Sequence, residues 1–145
     1  MNEEIQQAIR LRVEQAQETL KEAEALREHG LWRGVINRSY YAMFYAVLAL
    51  GVFRQVILSK HSQAIAFFDK EFIKTAIFPR ELSRSLHLGF DQRQVSDYGD
   101  IWAVSQEEAE TVFLEARLFV ESVDGYLKNN PDAAFPVTRS RSRNP

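Results

Sequence analysis

From Tyr40 to Phe53 the chain runs for 14 residues without a charged side chain, YYAMFYAVLALGVF. No other feature constrains the fold as much. A helix that spans a bilayer needs about 20 apolar residues, so a run of this length reads as a buried core helix. Its apolar positions form two neighbouring stripes, Ile36, Tyr40, Met43, Val47 and Leu50 in one and Tyr41, Phe44, Tyr45 and Leu48 in the other. A helix that is apolar nearly all round belongs at the centre of a fold, with other elements packed around it.

The rest of the chain supplies those elements. Residues 2–29 read as one amphipathic helix, with Ile9, Val13, Ala16, Leu20 and Ala23 on a single face and Gly30 as its stop. The like-charged pair Glu18 and Glu22 shows that packing, not surface pairing, must hold it. The central helix is expected from Leu31 to Gly51, followed by a loop or turn from Val52 to Leu58. A third helix is expected from Ser59–Ser62 to Thr75, with Ile65, Phe68, Phe72 and Ile73 facing inward. Pro79 suits the first turn of a fourth helix over 79–95, with an irregular end near Gly89. Residues 96–104 read as a loop around Gly99. Ser105 and Glu108 form a capping box that opens a fifth helix. Its stripe runs through Ala109, Val112, Phe113, Ala116, Phe119, Val120, Val123 and Leu127. The fold class is therefore all-α, an up-and-down bundle of about five helices. One domain is expected over 1–128, with a disordered basic tail over 129–145 that holds three prolines and the run RSRSR.

Composition narrows the chemistry. The 145 residues include no cysteine, which removes disulfides, thiolate metal sites and cysteine nucleophiles. The polar start MNEEIQQAIR is unlike a signal peptide, and a cytoplasmic protein with no membrane association is expected. The six glycines match neither a Walker loop nor a dinucleotide fingerprint. His29, His61 and His87 are not spaced as a helical metal pair, and no Glu-x-x-His motif occurs. No metal site and no cofactor is expected. The net charge of -2 is an average over segregated charge. Residues 31–93 hold 9 basic and 4 acidic side chains, whereas 94–130 hold 2 basic and 8 acidic. A basic segment of this kind leaves room for a phosphate-bearing ligand.

Three constellations could carry function. The first, residues 37–45 (NRSYYAMFY), places Arg38 in an otherwise aromatic helix. That arginine reaches either a phosphate or an internal acid such as Asp97. The tyrosines there are mostly core, with Tyr41 a candidate for nucleotide contact. The second, Lys60-His61-Ser62, opens the third helix, where free N–H groups attract anions; a capping or core histidine is the alternative. The third, residues 93–100 (RQVSDYGD), gathers Arg93, Asp97 and Tyr98 at a helix end. It makes either a phosphate grip or an ion pair that closes the loop.

These segments, in this order, resemble the HEPN domain family, and its small stand-alone prokaryotic branch in particular. The resemblance covers roughly residues 5–127. It implies an up-and-down helical bundle that forms a homodimer. It also implies a minimal nucleotidyltransferase partner in a toxin–antitoxin-type system and an RNA or nucleotide ligand. Many such domains are metal-independent ribonucleases whose motif is an arginine followed, after four to six residues, by a histidine. Arg93 matches the arginine, but Tyr98 stands where the histidine is expected. A tyrosine ionises near about 10 and an aspartate near about 3.9, so neither Tyr98 nor Asp97 replaces an imidazole as base. Arg93, Asp97 and Tyr98 are the candidate catalytic set, and Arg38, Tyr41, Lys60 and His61 the candidate phosphate-binding set. A binding module, a variant endoribonuclease and a purely structural dimeric bundle are the three functional readings.

Overall fold

The computed structural model describes residues 2–99 and 104–131. Among these residues there is no strand. Five α-helices carry the chain: α1 (Glu3–Glu28), α2 (Trp32–Phe53), α3 (His61–Phe68), α4 (Arg80–Tyr98) and α5 (Gln106–Asn129). A π-helical turn, Asp69–Ile73, extends α3. The basic run of the expected tail lies outside the described residues.

Local chemistry sets the boundaries. The side chain of Asn2 accepts hydrogen bonds from the backbone N–H groups of Glu4 and Ile5 and caps α1. Gly30, at φ 70°, ends it. Gly30 donates to the Arg27 carbonyl and Leu31 to the Leu26 carbonyl, the pair of bonds that makes a Schellman stop. The expected capping box of α5 is present, with Ser105 Oγ accepting from the Glu108 N–H and the Glu108 carboxylate accepting from the Ser105 N–H.

α2 is the centre, packed against α1, α3, α4 and α5. By length and composition alone it could cross a membrane, but 61% of its most apolar stretch is buried inside the bundle. Val35, Ile36, Tyr40, Met43, Val47 and Leu50 are wholly buried. Burying side chains of this size stabilises by roughly 1.5–3 kcal/mol each before entropy is counted. Beyond α2, Phe68, Phe72, Phe78, Phe119 and Tyr126 form an aromatic cluster that ties α3, the π-turn and α5 together.

Three boundaries differ from expectation. α2 continues past Gly51 to Phe53, because Phe53 is buried against Tyr126. The connection then folds back over Gly51, whose carbonyl accepts from the Val56 N–H at 2.8 Å. A Cβ at Gly51 would stand 2.8 Å from Leu58 Cδ1 and 3.2 Å from the Val56 carbonyl oxygen, so the return needs glycine there. α3 changes to π geometry at Asp69 instead of running on to Thr75. That carboxylate accepts from Ser83 Oγ at 2.7 Å and meets His87 Nε2 at 2.8 Å, tying the wider turn to α4. α4 runs unbroken through Gly89 to Tyr98, where an irregular end and then a loop were expected. A Cβ at position 89 would stand 2.6 Å from Met43 Cε and 3.4 Å from Tyr40 Cδ1. Gly89 therefore marks the close approach of α4 to α2.

Candidate functional site

That close approach brings the chemistry-bearing residues together. Tyr40 and Tyr41 lie on α2, His61 is the first residue of α3, and Phe90 and Arg93 follow Gly89 on α4. The imidazole of His61 stacks on Phe44 at 4.4 Å and meets the ring of Tyr41 edge-on at 5.7 Å. Tyr40 and Phe90 complete the enclosure at 5.6 and 6.3 Å. The buried Tyr40 hydroxyl lies 2.7 Å from His61 Nδ1. Burial holds the His61 imidazole below its ordinary pKa, and the positive charge of Arg93 pushes the same way. Burial raises the Tyr40 phenol well above the ordinary tyrosine value, with Arg93 opposing the rise.

Arg93 is the positive end of this arrangement. Its guanidinium lies 5.3 Å from the centre of the Tyr41 ring and 5.9 Å from that of Tyr40, both within cation–π range. Its Nε donates to Asp97 Oδ2 at 3.0 Å, and both side chains are largely buried, at 14% and 24% exposure. Asn37 Nδ2 also donates to Asp97 Oδ2, at 3.1 Å. A second cation, Arg38, also lies against the cluster, 5.2 Å from the centre of the Tyr41 ring. Arg38 pairs with Asn37 Oδ1 through Nε and with Glu22 through a second nitrogen at 3.4 Å. The acid considered for Arg38, Asp97, is therefore held by Arg93 instead. Asp97 sits one turn along α4 from Arg93, and Asn37 stands between it and Arg38. Arg33 Nε donates to the Ser96 carbonyl at 2.6 Å and fixes the last turn of α4.

Beside these groups, Leu26, Arg33, Gly34, Asn37, Arg38 and Asp97 line a shallow depression of about 400 Å³. A more apolar groove of about 370 Å³ between α1 and α5, floored by Ile9, Val13, Phe53 and Leu127, contains no candidate residue. Arg93, Asp97, Arg38, Tyr41 and His61 thus share one neighbourhood. Lys60 is exposed at the N-cap of α3, where its carbonyl accepts from the Ala64 N–H at 2.9 Å, and its ammonium makes no polar contact among the described residues. Tyr98 closes α4, and its side chain lies outside the described atoms.

The family model for the HEPN domain matches residues 9–126. The chain belongs to the HEPN family. A Thermotoga maritima protein named UPF0332 is 31% identical over 114 residues, 79% of this chain and 86% of the relative. Two Methanocaldococcus jannaschii proteins, each named "putative toxin", are 32% and 30% identical. Those matches span 79% and 88% of this chain, and 78% and 95% of the relatives.

In this HEPN chain the position five residues after Arg93 holds no imidazole, yet the fold brings one from another helix. His61 and Arg93 both pack against Tyr40 and Tyr41. Sequence reasoning singled out His61 but left its distance from Arg93 open. It placed Asn37, Tyr40 and Phe44 within a candidate segment but gave none of them a role in the site. Tyr40 carried a readable signal: a tyrosine on the most buried stripe of the chain must find a partner for its hydroxyl.

Proposed function

We propose that this HEPN protein is a toxin-type, RNA-phosphate-binding module. It acts in the cytoplasm as a homodimer with a minimal nucleotidyltransferase partner. One observation carries the reading: a guanidinium and a neutral imidazole share one aromatic cluster, flanked by a second arginine, Arg38. Arginine grips phosphate oxygens, and exposed ring faces accept unstacked bases without demanding a sequence. Tyr41, Phe44 and Tyr45 are half-buried, so their rings keep accessible surface. The toxin names of the two archaeal relatives agree with this role.

Binding of a fluorescent single-stranded oligoribonucleotide tests it. A charged hydrogen bond is worth about 1.5–3 kcal/mol, so Arg93→Ala should weaken binding by about tenfold or more. Its far-ultraviolet circular dichroism should remain that of the parent. Equal affinity of parent and variant would remove the phosphate-binding role and leave a structural bundle.

The proximity of His61 to Arg93 favours a second reading, a variant metal-independent endoribonuclease. In it Arg93 would stabilise charge on the phosphate and His61 would move the proton. Cleavage of RNA in EDTA by the parent, lost in Arg93→Ala and His61→Ala, is the expected result. Intact RNA with the parent protein would reject it.

A further inference from the structure

We propose that Tyr40 fixes His61 in the tautomer that carries its proton on Nε2, so that the imidazole meets its ligand as a hydrogen-bond donor. This rests on the phosphate-binding reading and adds which atom of His61 touches the phosphate.

The 2.7 Å contact between the Tyr40 hydroxyl and His61 Nδ1 allows two arrangements. Either the phenol O–H donates to a bare Nδ1, or Nδ1–H donates to the phenol oxygen. In the second case the phenol proton needs an acceptor of its own. Tyr40 is wholly buried, and among the described residues its hydroxyl makes no other hydrogen bond. A buried donor left without an acceptor costs about 1–3 kcal/mol. The first arrangement satisfies both groups, and it stands.

A neutral imidazole holds one proton, so a bare Nδ1 places that proton on Nε2. The ring is kept neutral by its burial and by Arg93 from α4; the other titratable groups facing it are Tyr40 and Tyr41 from α2. Stacking on Phe44 and the edge contact with Tyr41 set the ring plane. Nε2 lies on the far side of the ring from the Tyr40 bond, and among the described residues no hydrogen bond occupies it.

His61 then offers an N–H in the aromatic cluster that also holds the Arg93 guanidinium, since both side chains pack against Tyr40 and Tyr41. In this proposal the two donate to the non-bridging oxygens of one phosphodiester. The same bond works against a base role. To take a proton at Nε2 the ring would first have to shift its own proton to Nδ1 and give up the bond from Tyr40. Tyr40 is therefore a positioning residue for His61.

Long-range proton–nitrogen spectra of ¹⁵N-labelled protein at neutral pH read the tautomer directly, with His61 assigned by the signal lost in His61→Gln. A protonated Nε2 and a bare Nδ1 are expected in the parent, and a shifted or mixed pattern in Tyr40→Phe, which keeps the ring. A protonated Nδ1 in the parent, or an unchanged spectrum in Tyr40→Phe, would overturn the proposal. Oligoribonucleotide binding supplies the second arm. His61→Gln, whose amide N–H₂ reaches toward the place of Nε2, should stay within about threefold of the parent, whereas His61→Ala should lose about tenfold. Equal losses in both variants would also overturn it. If the parent binds no oligoribonucleotide, the phosphate-binding reading and the ligand contact at Nε2 both fall, and the spectra still decide whether Tyr40 sets the tautomer.

Discussion

At the scale of single residues, His61 couples ligand chemistry to folding. Its imidazole is held below its ordinary pKa by burial and by Arg93, whereas in the unfolded chain it titrates near about 6.5. As pH falls past that value, the unfolded chain takes up a proton that the folded chain refuses. Stability is therefore lost between about 6.5 and the lower folded-state value, and His61 contributes no slope above that window. Urea midpoints measured from about pH 7.5 to about pH 5 should fall more steeply for the parent than for His61→Gln. Parallel curves would show that His61 titrates alike in both states. His61 and Arg93 were legible as residue types in suggestive places, but their meeting was not. They are 32 positions apart on different helices, and only the approach of α4 to α2 at Gly89 unites them. Tyr40 was hidden for the opposite reason, since its periodicity assigned it to the core, where it does lie.

Among the elements, α5 was the most legible, because a capping box and an unbroken stripe depend only on residues close in sequence. The π-turn was illegible. Its bond from the Lys74 N–H to the Asp69 carbonyl is stabilised by Ser83 and His87, which lie beyond the next connection. Gly89 misled because glycine weakens a helix locally, while its use here is a contact between helices. Gly125 shows the contrast. It lies inside α5, and a Cβ built there meets nothing within 4 Å. Gly125→Ala should accordingly stabilise the protein by about 0.5–1 kcal/mol. Thermal unfolding would register this as a higher midpoint; an unchanged or lower one would indicate that the position serves something other than helix stability.

At the scale of the whole molecule, the segregated charges of the sequence are partly reconciled inside the fold. The acidic first helix gives Glu22 to Arg38, and the acidic segment after Arg93 gives Asp97 to Arg93. Arg27 joins α1 to α5 through Glu110. The half-buried rings of Tyr41, Phe44 and Tyr45 border the site, and in the proposed homodimer a second copy of the chain would pack beside them and leave their accessible faces to the RNA. Light scattering at micromolar concentration should give a dimer mass near twice 16.8 kDa. A monomer mass would remove the homodimer from the proposal.

The placement of α2 at the centre also shapes what genetics can learn from this protein. One helix supplies both the keystone of the bundle and the ring surfaces of the site. Loss-of-function alleles from an unbiased screen should therefore crowd into α2, and most would abolish the protein rather than its chemistry. Alleles that separate the two belong on the neighbouring helices, at Arg93 and His61, where a side chain can be exchanged while the keystone stays in place.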